Sequence, residues 1–82
     1  MDDSRRKRFE TEALPHLKAV YNHAWRLARR EDDARDLAQE TFLLAWRNLR
    51  SFRYDARFST WLYRIALNAW LSEARKRREV LL

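Results

Sequence analysis

The chain of 82 residues contains no glycine and a single proline, Pro15. Two-residue hairpins need positive φ at positions that glycine fills at least cost, and phosphate-cradling and dinucleotide-binding loops need glycine for close backbone approach. Sheets and nucleotide-fold enzymes therefore have almost nothing to be built from. The length permits one domain. With no cysteine there is no disulfide framework, thiolate metal site or cysteine nucleophile. The two histidines, His16 and His23, are too few for a structural zinc site and read as surface or partly buried helix residues. No apolar run approaches a membrane span or a signal-peptide core. The expectation is a cytoplasmic protein with no membrane partner, no metal and no cofactor.

Charge divides the chain. The net charge is +6, from 18 basic and 12 acidic residues, and 15 of the basic residues are arginine, the side chain suited to phosphate and base-edge recognition. Residues 1–30 carry a net +4, residues 31–40 a net −4 and residues 41–82 a net +6. An acidic surface and a strongly basic one suggest two different partners, or one partner assembly that offers both protein and nucleic acid. Glu31, Asp32 and Asp33 also suit a helix N-terminus through its dipole.

Residues 1–8, with four consecutive cations and little to bury, are expected to be a flexible basic arm, and residues 9–82 a single helical domain. Leu14, Leu17, Tyr21, Ala24, Trp25 and Ala28 recur at helical spacing and predict a helix over 14–30, with Pro15 in its first turn. A second helix is predicted from Asp32 or Asp33, either of which could cap it, to Asn48. Ala34, Leu37, Ala38, Thr41, Phe42, Ala45 and Leu49 form its buried stripe. Asp36, Gln39, Glu40, Leu43, Trp46 and Arg47 then point outward. Apolar anchors within a polar rim read as a protein-docking surface; the alternative is a fourth helix that covers Leu43 and Trp46.

The segment Arg50–Phe58 breaks the helical period and mixes aromatics with arginines, a combination that stacks on unpaired bases and grips their backbone. Phe52 or Phe58 is expected to anchor this loop to the core while its tip stays free. A third helix is predicted from Ser59, as cap, to Arg78, with Leu62, Ile65, Ala66 and Ala69 inward. Trp61, Arg64, Asn68, Leu71 and Arg75 share another face, which has the chemistry of DNA reading. The run Arg75–Arg78 extends that face, and also complements a helix C-terminus.

Two blocks, DARDLAQETFLLAW over Asp33–Trp46 and SFRYDARFSTWLYRIALN over Ser51–Asn68, closely resemble the core-binding and promoter-melting domain, region 2, of bacterial extracytoplasmic-function sigma factors. The family pattern runs approximately DAEDLVQETFLRAW, a short SFRG-type loop, FSTWLYRIARN and a basic tail. The resemblance implies an all-α bundle of three to four helices that docks on the clamp helices of the RNA polymerase β′ subunit and opens the promoter at its minus-ten element. It puts Asp36, Leu37, Gln39, Glu40, Leu43 and Trp46 on or beside the polymerase-binding helix. It makes Ser51, Phe52, Arg53, Tyr54, Asp55 and Ala56 the pocket for a flipped base of the single-stranded non-template strand. Trp61, Arg64 and Asn68 then lie at the upstream edge of the melted segment, and Arg75, Lys76, Arg77 and Arg78 on phosphates. It further implies an anti-sigma protein that occludes these surfaces. Tyr54 stands where the family often has glycine, a departure that bears on the course of the loop and on which base it accepts, and the family's helix-turn-helix domain is expected to be absent from this chain.

No enzyme constellation is present: the carboxylates cluster at one helix start without a histidine partner and the serines lack an activating base. The competing reading is a helical protein-interaction module without sequence-specific DNA recognition.

Overall fold

Four α-helices and two 3-10 turns account for nearly all of the residues that the computed structural model describes, 3–53 and 56–81, and no strand occurs among them. The helices are α1 (Asp3–Glu12), α2 (Leu17–Ala28), α3 (Glu31–Arg47) and α4 (Phe58–Leu81). The turns span Leu14–His16 and Leu49–Ser51. The architecture is the expected all-α bundle, and α1 is a fourth helix formed partly by residues expected to be an arm.

Residues 3–8 are helical rather than an irregular arm. Two i,i+4 ion pairs, Arg6–Glu10 at 3.1 Å and Arg8–Glu12 at 3.0 Å, brace α1 along its length. Phe9 then ties it to the bundle, its ring 5.4 Å from Trp46 and 6.3 Å from Phe42, edge-on in both cases.

The helix expected over 14–30 begins as a 3-10 turn at Pro15 and becomes regular at Leu17. It ends at Arg29, whose φ of 61° is the left-handed conformation that commonly closes a helix and usually falls to glycine. In a chain without glycine an arginine takes it, at roughly 1–2 kcal/mol. Half of the apolar stripe read from the sequence packs inward, with Tyr21 and Ala28 against the cluster of Ala24, but that stripe omits Val20 and includes residues that stay exposed. Val20 and Ala24 are fully buried, whereas Leu14 and Leu17 remain 45% and 55% exposed. They flank the core and open onto a groove.

Helix α3 buries Ala34, Leu37, Thr41 and Ala45 as expected. The Thr41 hydroxyl is sealed inside and donates to the Leu37 carbonyl at 2.7 Å, which satisfies the one polar side chain of that face. No side chain caps α3, so Asp32 and Asp33 act with Glu31 through the dipole of the first turn. Ser59 likewise lies within the first turn of α4 instead of capping it; the Arg57 carbonyl accepts the first bond, from the Trp61 N–H at 3.1 Å.

Two small clusters make the core. Val20, Ala45 and Leu62 are packed by Phe9, Phe42, Phe58, Trp61 and Ile65, and Ala24, Ala34 and Leu37 by Tyr21, Leu27 and Trp70. Alanines at the centre let the helices approach closely, and half-buried aromatics at the edges supply the apolar area. Helix α4, with 24 residues, is about 36 Å long at 1.5 Å per residue. The molecule measures 45 × 26 × 22 Å.

Candidate docking face and nucleic-acid interface

The residues expected on the docking helix separate into three environments. Asp36, Gln39, Glu40 and Leu43 are exposed on α3, Leu43 to 47%, and form a ridge. Leu37 belongs to the opposite face, is only 7% exposed and packs in the core; placing it on the docking surface is corrected. Trp46 is half-covered by α1, as in the covering-helix alternative, with the Arg5 guanidinium 4.4 Å from its ring centroid and Phe9 against its edge. Arg5 also donates to the Trp46 carbonyl.

Grooves flank this ridge. Toward α4, Asp33, Asp36 and Glu40 face Glu73, Lys76 and Arg77 across a cleft of about 490 Å³. Toward α1 and α2, Gln39, Leu43 and Trp46 border a groove of about 750 Å³ whose walls include Phe9, Leu14, Leu17 and Phe42. The ridge is thus polar on one flank and apolar on the other.

On the side expected to meet nucleic acid, Phe52 is packed among aromatic rings. It is 7% exposed, with ring centroids 4.9 Å from Phe58 and 5.2 Å from Trp61. Phe52 and Phe58 both anchor the loop root, so Phe52 does not stand open as a pocket wall. The Ser51 hydroxyl is used to close the preceding turn, donating to the Asn48 carbonyl at 2.7 Å. Arg53 is exposed and Ala56 half-buried, while Tyr54 and Asp55 lie outside the described residues.

Along α4, Arg64, Asn68, Leu71 and Arg75 are exposed on one face, and Trp61 joins that face to the loop root through Phe52. Asn68 borders the seam with α3, near Leu44 and Asn48. Arg75, Lys76 and Arg78 are exposed and make no ion pair among the described residues, but Arg77 reaches Asp33 at 3.9 Å and Glu73 at 3.8 Å. His16 stacks on Phe58 at 6.3 Å and His23 lies 4.7 Å from Tyr63. No group of three or more His, Cys, Asp or Glu able to hold a metal occurs among the described residues, and no helix among them is long and apolar enough to cross a membrane.

Sequence reasoning missed Arg5, Arg8 and Phe9. The signal was available in the i,i+4 spacing of Arg6 with Glu10 and Arg8 with Glu12, which marks a helix where a run of cations suggests an arm.

The family model described as Sigma-70 region 2 matches residues 14–80. The ECF RNA polymerase sigma factor SigG of Mycobacterium tuberculosis is 38% identical over 78 residues, covering 93% of this chain and 21% of that protein. SigW of Bacillus subtilis, another ECF RNA polymerase sigma factor, is 41% identical over 59 residues, covering 72% of this chain and 32% of that protein. A shorter match of 36 residues, 44% of this chain and 19% of its counterpart, is 58% identical to the ECF RNA polymerase sigma-E factor of Salmonella typhimurium. The chain therefore spans about a fifth to a third of the relatives it matches. With two motif blocks at family spacing on an all-α bundle, and a family model that covers most of its length, the chain belongs to the Sigma-70 region 2 family, in its extracytoplasmic-function branch.

Proposed function

We propose that the domain acts in transcription initiation in the cytoplasm, docking core RNA polymerase through the α3 ridge and opening the promoter minus-ten element by holding a flipped non-template base. The observation that carries this reading is the division of α3: Ala34, Leu37, Thr41 and Ala45 are buried, while Asp36, Gln39, Glu40 and Leu43 are presented together. An apolar anchor beside acids and an amide is the composition of a docking patch. The loop after Phe52 and the outer face of α4, with Arg64, Asn68 and Arg75, supply the contacts to the strand, and the basic tail grips phosphates. No catalytic step is part of this role. Promoter melting without a chemical energy source requires that unstacking, a few kcal/mol per base, be offset by grip on the extruded base.

Reversing charge with Glu40→Lys tests the docking face. Binding to the β′ clamp helices should weaken by about 1–3 kcal/mol, with the domain still folded because Glu40 is exposed. Unchanged affinity in a pull-down removes this face from the reading. The apolar groove beside Leu43 favours a second use, contact with a regulator such as an anti-sigma protein. A module made only for protein contact would show no base preference toward single-stranded minus-ten oligonucleotides in fluorescence anisotropy.

A further inference from the structure

We propose that Arg8, on the N-terminal helix, is a positioning residue for the loop that follows Phe52; this rests on reading that loop as the base-holding element. Arg5, Arg8 and Phe9 fall at i, i+3 and i+4 and share one face of α1. Phe9 and Arg5 seat the helix on Trp46, at the end of α3. That seating delivers Arg8 to the loop root, where its guanidinium lies 5.9 Å from the centroid of the Phe52 ring, within the roughly 6 Å reach of a cation–π contact. Glu12 holds the same guanidinium at 3.0 Å.

Phe52 is the residue whose position matters most for the loop. Among the described residues it is the last buried side chain before α4, and it is already wedged against Phe58 and Trp61. A cation on its ring fixes where the loop starts without touching the strand. Helix α1 lies outside the matched stretch 14–80, so the family match does not assign this contact.

The test uses the 82-residue chain and fluorescein-labelled single-stranded oligonucleotides in which each minus-ten position is varied in turn. Arg8→Ala should lower discrimination at one position by about threefold or more, leave the other positions as they were, and recover in part in Arg8→Lys. Arg6→Ala is the control, since it removes the same charge and an equivalent i,i+4 pair from a side chain that does not reach Phe52. Arg8→Ala and Arg6→Ala behaving alike at every position would reduce Arg8 to general charge and overturn the proposal, as would a loss spread evenly over all positions. Should circular dichroism show that Arg8→Ala loses α1, Arg8→Lys carries the test. Discrimination below that of Arg6→Ala then supports the proposal, and discrimination equal to that of the unaltered chain overturns it. No base preference in the unaltered chain would overturn the proposed function itself and this inference with it, whereas a preference that Arg8→Ala leaves intact overturns this inference alone.

Discussion

Helices α1 and α4 each carry a run of three arginines and one lysine, Arg5–Arg8 near one end of the chain and Arg75–Arg78 near the other, and the bundle uses them in opposite ways. In α1 glutamates follow at i+4 and aromatic rings lie alongside, so Arg6 and Arg8 are paired and Arg5 is stacked. In α4 the run projects past the core, and among the described residues only Arg77 finds carboxylates. The first run is spent on structure and the second remains available to a phosphate backbone. A cluster of cations is therefore not a nucleic-acid signal until the residues one turn away, and the surface beneath, have been read.

The largest expected effect separates the two helices by stability. Phe9 is half-buried and is the main apolar contact of α1. Phe9→Ala should cost about 2 kcal/mol in urea unfolding, less than the ~3–5 kcal/mol of a fully buried phenylalanine, and should lower helix content at 222 nm. If stability and helix content stay unchanged, α1 is not held as described and the contrast with α4 collapses.

Next is the salt dependence of DNA binding. Replacing Arg75 and Arg78 with alanine should leave stability within about 0.5 kcal/mol while reducing the slope of log affinity against log salt by roughly 0.7 for each single-strand phosphate that is no longer neutralised. The same reduction should appear for every sequence. A changed base preference with an unchanged slope would mean that these arginines read bases.

The smallest effect concerns Arg77, the cation of the α4 run that, among the described residues, is paired like those of α1. Asp33→Asn should leave it with Glu73 alone and raise single-strand affinity at low salt by less than about fivefold, since an exposed pair is worth at most about 1 kcal/mol. Asp32→Asn removes the same charge from a residue paired with Arg35 instead and should raise affinity less. Equal effects of the two substitutions would show that overall charge alone is being measured.

The sequence pattern was most legible where one face decides everything. The α3 stripe of Ala34, Leu37, Thr41 and Ala45 and the α4 pair Leu62 and Ala66 are buried as their spacing predicts. Around α2 it found Ala24 but missed Val20, because apolar residues in α2 and the turn before it serve two surfaces: Val20 and Ala24 fill the core, while Leu14 and Leu17 line a groove, and periodicity weights both alike. The caps were misassigned because α3 and α4 begin without side-chain capping bonds from Asp32, Asp33 or Ser59. Phe52 and Trp46 each carry an open and a covered alternative in the sequence, because their covers, α4 and α1, are set by tertiary contact that no local pattern records. The ridge of Asp36, Gln39, Glu40 and Leu43 and the outward set Arg64, Asn68 and Arg75 were read correctly as exposed, since each follows directly from helical phase.

The unbroken course of α4 makes it a ruler. From Trp61 to Arg75 the helix advances about 21 Å, comparable to roughly six steps along one strand of a duplex. In the proposed function this fixes how far the phosphate-gripping tail stands from the residues at the opened bases, and no loop or glycine lies between them to take up slack. One inserted residue would lengthen the ruler by only about 1.5 Å yet turn its far end through about 100°, carrying Arg75 off the face it shares with Arg64 and Asn68. Spacing can therefore change only in increments of about a helical turn, and in that reading the length of DNA spanned is graduated by the hydrogen-bond ladder of the helix.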